Sequence, residues 1–265
     1  MLQSALSHYR SQQTLAAAGI AAARRAWPRG AAALTGALMV LMRRAAQDGA
    51  QAVDDMLAEQ GIDAPPAAPI NPAAFAESAS DGRLLVGLLE AASTVQALEL
   101  MTVTQIADAS RVASGVAIAT RERVSWTRMV NPPCCARCAI LAGRVYRWSE
   151  GFQRHPGCDC RHIPTQEDVA GDVRTDPQAL FKQGKVSGVT RAEQKAIEDG
   201  ANINRVINAR RSLYMDEAGH RLTREATTRR GGAPRIRPTP EQIYRGSGDD
   251  REAAIRALKR FGYIL

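Results

Sequence analysis

Aromatic residues are scarce in this chain of 265 residues, at 5% of the total. That excludes a core built on large rings. Hydrophobic residues still make up 45%, and much of that share is alanine, which predicts thin-sided helices that pack by close approach. Long apolar runs are lacking too. The most apolar stretch, Ala31 to Met42, is twelve residues long and flanked by Arg29 and Arg43. A bilayer needs about 20 residues, so this stretch reads as a buried helix. The first residues, MLQSALSHYRSQQ, have no charged segment leading into an apolar one, which argues against a secretory signal. The expectation is a soluble protein, without a membrane partner, made in a reducing cytoplasm.

Acidic residues are sparse in the last quarter. Residues 201–265 hold fourteen Lys and Arg against seven Asp and Glu, and so carry nearly all of the formal charge of +8. A basic tail favours nucleic acid or an acidic protein surface. Arg210, Arg211, Arg229, Arg230, Arg235 and Arg237 are the candidate contacts. Binding through phosphates alone would be salt-dependent and blind to sequence.

Along the chain, residues 1–63 read as a helical N-terminal arm, broken near Trp27-Pro28-Arg29-Gly30 and closed by Gly61. Prolines at 65, 66, 69 and 72 mark residues 64–80 as an extended connector. Helical spacing resumes from about Asp81 and continues to Val130, with Asn131-Pro132-Pro133 as its end. Residues 134–165 form a compact irregular unit with a short hairpin around Gly143 to Tyr146. Residues 174–215 return to helix, with turns at Gly184, Gly188 and Gly200. Residues 216–240 read as extended loop, and an amphipathic helix from about Pro240 to Phe261 ends the chain. The division is then 1–63, 64–80, a core at 81–215 and a basic extension at 216–265. The fold class is mainly α, with a small irregular α+β unit stapled by zinc.

Cysteine is absent except in one place. Cys134, Cys135, Cys138, Cys158 and Cys160 all fall within 27 residues. Cys135-Ala-Arg-Cys138 is a CxxC turn, which lets two thiolates converge on one tetrahedral ion. Sixteen residues separate Cys138 from His155, which opens His155-Pro-Gly-Cys158-Asp-Cys160 and supplies a second pair. Two such halves joined by a loop of this length are the plan of a structural zinc site. The tetrad is Cys135, Cys138, His155 and Cys158, with Cys160 able to replace His155 and Cys134 a bystander. Disulfides would leave an odd thiol. A redox CxxC wants a βαβ context, and a catalytic zinc wants an open position and a general base. His162 reads as a hydrogen-bonding surface histidine.

The string Cys135-x-x-Cys138-x-Ile140-Leu141-Ala142-Gly143, then Tyr146, then His155-Pro156-x-Cys158-x-Cys160 resembles the MuF-like head-morphogenesis (minor capsid) proteins of tailed bacteriophages. Arg144 to Cys160 in full is similar to versions from phages of actinobacteria. So are Val206 to Arg211, Thr227 to Gly231 and Asp250 to Ile255. The resemblance covers roughly residues 120–265. It implies a minor head protein in the virion, associated with the portal or the major capsid protein, with packaged DNA within reach of the basic tail. Some relatives of that kind are described as capsid maturation proteases. Here no GxSxG or HExxH occurs, and neither Ser125 nor Ser212 near His220 makes a nucleophile by spacing. A third reading, a zinc-containing nucleic-acid-binding protein, lacks a recognition helix after the last ligand.

Overall fold

The computed structural model describes residues 2–166, 175–225 and 236–264. In chain order the elements are α1 (Gln3–Ala26), α2 (Thr35–Glu59), α3 (Leu85–Glu90), α4 (Val95–Ala119), β1 (Val124–Met129), β2 (Cys134–Cys135), α5 (Ala136–Leu141), β3 (Val145–Tyr146) and β4 (Arg161–Gln166). There follow α6 (Pro177–Lys182), β5 (Val186–Ser187), α7 (Arg191–Glu198), α8 (Ile203–Asn208), β6 (Leu213–Met215), β7 (Arg221–Thr223), β8 (Arg237–Pro238), α9 (Pro240–Ser247) and α10 (Arg251–Arg260). The fold is mainly α, opens on long helices and carries a few short strands. The chain divides into two compact units, Met1–Asn131 with Gly143–Thr175, and Pro132–Ala142 with Asp176–Leu265.

In the first unit α1, α2 and α4 pack together. The break between α1 and α2 falls where Pro28 and Gly30 predict it, with Gly30 at φ 93°. Gly61 ends α2 in a left-handed turn (φ 69°), and Ile62 N–H reaches Leu57 O at 2.9 Å. That 6→1 bond is a Schellman cap. Thr94 caps α4 by accepting from Ala97 N–H. Small residues then let α2 and α4 approach closely. Ser114 Oγ donates to Gly49 O at 2.8 Å, and Ala45, Ala46, Ala109 and Ala113 are buried alongside. The N-terminal helices therefore share one core with α4.

The approach is tight enough to test. A Cβ on Gly49 would stand 2.4 Å from the Ser110 carbonyl oxygen, whereas a Cβ on Gly36 of the same helix meets nothing within 4 Å. Backbone cannot rotate away, so Gly49→Ala must push the helices apart. It is expected to lower stability by about 2–4 kcal/mol, despite the roughly 1 kcal/mol that alanine gains as a helix former. Gly36→Ala should be neutral or slightly stabilising. Urea midpoints of the two variants check this, and equal midpoints would refute the close approach.

The helical reading from Asp81 to Val130 needs correction. Arg123 takes φ 58°, and the chain turns from α4 into β1, which is buried along its whole length. β1 pairs antiparallel with β4 on one side and β3 on the other, setting Trp126 opposite Pro164 and Tyr146. The expected hairpin around Gly143 is thus half of a different pairing, because β3 pairs with β1.

In the second unit, β2 and β5 pair in parallel. Around them α5, α7, α8, α9 and α10 bury Ile140, Ile197, Val206, Ile243 and Leu258. Thr190 and Glu193 cap α7 reciprocally, the pattern that satisfies two orphan N–H groups at once. The loop reading of 216–240 is corrected at Arg221–Thr223 and Arg237–Pro238, where β7 pairs with β6 and β8. Residues 226–235 lie outside the described residues. The single terminal helix is also two, since Gly248 at φ 54° breaks it and Asp250 caps α10 anew. The apolar C-terminus docks on its own unit, where Tyr263 is fully buried.

Candidate metal centre

Cys135 sits at the start of α5, and its Sγ accepts the Cys138 N–H at 3.3 Å. This is how a CxxC turn aims two sulfurs the same way. Pairing of Cys134 and Cys135 with Val186 and Ser187 fixes the strand that leads into it.

The other donors lie on the segment before β4, and α4 holds that segment. Thr104, Asp108 and Arg111 recur at positions i, i+4 and i+7, one face of a helix. Thr104 Oγ1 accepts the Gly157 N–H at 3.2 Å. Arg111 Nη1 donates to Cys158 O at 2.8 Å and to Cys160 O at 3.4 Å, while its Nη2 donates to Asp108 Oδ1 at 2.8 Å. Arg154 and Ser80 also bond to Asp108. Within the segment Cys158 N–H reaches His155 O at 3.1 Å. These α4 residues were not singled out in the sequence. The signal was present as a run of polar residues spaced along an otherwise apolar helix.

The electrostatics suit thiolate ligands. Arg111 and Arg161 are buried, at 4% and 5% exposure. Burial pushes the Arg111 guanidinium down from its usual range, opposed by Asp108 and then by the Cys158 and Cys160 thiolates. Burial first, and then Arg111, push Arg161 down to about 10. Two buried cations thus stand beside two cysteines, the compensation that a negatively charged sulfur-rich site needs.

Cys135, Cys138 and His155 form one group and Cys138, Cys158 and Cys160 another, each with donor atoms within 4.8 Å of one another. These groups could hold a metal, and Cys138 belongs to both. Cys138, Cys158 and Cys160 are buried and His155 is exposed. Cys134 is buried and lies outside both groups.

His162 departs from its expected surface place. It is 5% exposed and packs edge-on against Trp126 at 4.5 Å and Phe152 at 4.6 Å. Burial, then Arg111, pushes its pKa down to about 3. His8 is similar, buried on α1 with Nε2 3.4 Å from Ser110 Oγ. Burial and then Arg161 bring it to about 3 from 6.5. In an unfolded chain it protonates below pH 6.5, and in the folded protein it resists until about pH 3. Its contribution is therefore complete above pH 6.5 and is lost as pH falls toward 3. Wild type is expected to lose about 2 kcal/mol more than His8→Gln between pH 7 and pH 4.5 in urea titrations. Equal losses would show that His8 titrates normally.

The basic candidates scatter. Arg210 is tied to the buried Glu193, with Nε to Oε1 at 2.7 Å. Arg211 is exposed, and its nearest acid is Glu225 at 3.8 Å. Arg229, Arg230 and Arg235 lie outside the described residues. Arg237 corrects the expectation. It is 2% exposed, donates to Phe261 O and Arg205 O, and stacks on Tyr263 at 4.0 Å. The docked C-terminus consumes it, so no partner can reach it. Ser125 is buried in β1, and His220 is bonded to Asp216 at 2.9 Å. Among the described residues, no helix is long and apolar enough to cross a membrane.

Long leading helices, short strands and a cysteine-histidine cluster that could hold a metal define the class of the protein. The VG15 protein family matches residues 3–185. The chain belongs to that family, and it is a phage protein. No curated protein and no solved structure matches it.

Proposed function

We propose that this phage protein is a minor head protein of the MuF-like kind, associated with the portal or the major capsid protein and acting in head morphogenesis. The observation that supports it most is the CxxC and HPxCxC pair. Its five donors fall into two groups of three that share Cys138 and could hold a metal, in a chain of a phage family. The ion is one structural zinc, held by Cys135, Cys138 and Cys158 with His155 or Cys160 as the fourth ligand. Zinc there supplies folding energy and no chemistry of its own. Exposed arginines such as Arg211 give packaged DNA a weak, salt-dependent contact.

The contact of Ser110 with His8 gives a capsid maturation protease no support. Ser110 is fully buried against Gly49, with no room for a peptide bond.

The test is mass spectrometry of purified heads and of procapsids, with zinc measured on the isolated protein. A few copies per head and about one zinc per chain are expected. Absence from heads, or presence only in infected-cell lysate, would overturn the assignment. Cleavage of the major capsid protein by the purified chain would replace it with the protease reading.

A further inference from the structure

A second site lies in the first unit, on the side of Asp108, Arg111 and Arg154 that these supports of the Cys158 segment turn to a cavity. A cavity of about 370 Å³ opens between α4 and the segment after β3, a volume in the range of small-ligand sites. Val112, Gly115 and Val116 of α4 form one wall, and Trp126, Phe152 and His162 form the other. Trp126 is stacked between Tyr146 at 4.2 Å and Phe152 at 5.2 Å, so this wall is rigid. Gly115 lies on the α4 wall, where a Cβ would make only an ordinary 3.9 Å contact with the His162 ring, so a side chain longer than alanine is needed to fill the cavity. His162 is 5% exposed, and its Nδ1 has no hydrogen-bond partner.

The rim is unusual for a water-facing surface. Trp148 lines the mouth at 59% exposure, beside the exposed Val112 and Val116. The segment carrying it, Arg144-Val-Tyr146-Arg147-Trp148-Ser-Glu150-Gly-Phe152-Gln-Arg154, alternates guanidinium and ring. Arg144 and Arg147 are exposed, and neither enters an ion pair among the described residues. Glu150, an acid at the mouth, accepts the Arg147 backbone N–H at 2.6 Å.

An accessible indole beside uncommitted guanidiniums forms a combination that seats unpaired bases, with stacking on the exposed ring and phosphates on the cations. We propose that the cavity binds one base of a single-stranded nucleic acid, stacked on Trp148 and directed toward His162, with Arg144 and Arg147 on the flanking phosphates. A paired base cannot enter, because the ring must leave its stack to reach the cavity. The inference stands apart from the head assignment and from the basic C-terminal part.

The experiment uses the full chain and fluorescently labelled twelve-nucleotide probes of DNA, RNA and duplex DNA, read by anisotropy at low salt. Both single strands are expected to bind at least about tenfold more tightly than the duplex. Trp148→Ala should weaken single-strand binding about tenfold or more, and Trp148→Phe should restore most of it. Gly115→Leu fills the cavity from the helix side and should weaken binding comparably. Lys259→Ala, an exposed cation in the other unit, should leave the preference for single strands intact. Melting curves and zinc content verify that each variant is folded. Equal affinity for duplex, or binding unmoved in both folded Trp148→Ala and Gly115→Leu, would overturn the proposal. Preference for RNA over DNA, or the reverse, identifies which strand the site serves.

Discussion

Replacing Cys138 by serine is expected to abolish zinc binding and to destabilise the protein by about 3–5 kcal/mol or more. Cys138 is the donor that both cysteine groups share. Removing it leaves neither group with three ligands, whereas loss of His155 or Cys160 touches one group alone. Structural zinc supplies on the order of 10–16 kcal/mol to peptides that have no other core. Here the helices keep their own cores, so the expected loss is a fraction of that. Cys134→Ser is the matched control. Cys134 is equally buried but outside both groups, and its loss should cost about 1 kcal/mol with full zinc retention. Metal analysis after gel filtration and chemical denaturation decide the matter. Cys138→Ser protein that holds one zinc, or that unfolds at the wild-type midpoint, would remove the site from the account. Chelation should also bring wild type to the midpoint of the variant.

The cysteine halves were legible because each is local. A CxxC turn and an HPxCxC string are short enough to read along the chain, and their neighbouring glycines and prolines mark the turns. Helices α1 and α2 were legible for the same reason, with Pro28, Gly30 and Gly61 where the structure breaks. The sequence is silent on what depends on distant pairing. β1 follows α4 through Arg123, a residue in a left-handed conformation that no local signal announces. Its residues are buried on both faces, so no alternation separates it from the apolar helix before it. Arg237 misled for a related reason. An arginine in a basic, glycine-rich stretch reads as surface, yet Tyr263 returns from the C-terminus to cover it. The composition of the tail, Phe261-Gly-Tyr-Ile-Leu265, favours burial against some apolar surface. That the dock is its own unit, and that one of the expected partner contacts is spent inside it, is a matter of tertiary packing. The supporting residues on α4 were hidden likewise, since Thr104, Asp108 and Arg111 gain meaning only when the Cys158 loop lies against them.

Those supports yield the last expectation. Arg111→Met should weaken zinc retention about 10- to 100-fold, the usual effect of losing a partner that orients a metal ligand. It should also lower stability by about 3 kcal/mol. The guanidinium holds the carbonyls of both Cys158 and Cys160 and supplies buried positive charge beside their sulfurs. Methionine fills much of the same volume without either function. Asp108 keeps Arg154 and Ser80 as partners, so the change does not strand a bare carboxylate. Destabilisation alone can loosen a metal, and Arg121→Met separates the two effects. Arg121 is another buried arginine, paired with Asp54 and bonded to Ala117 O. Its loss should cost comparable stability, yet zinc should leave at the wild-type rate in competition with a chromogenic chelator. Equal zinc release from Arg111→Met and Arg121→Met would reduce Arg111 to a packing residue. Faster release from Arg111→Met at matched stability would place it in the metal centre, as the residue that holds the backbone of Cys158 and Cys160 so that their sulfurs could serve an ion.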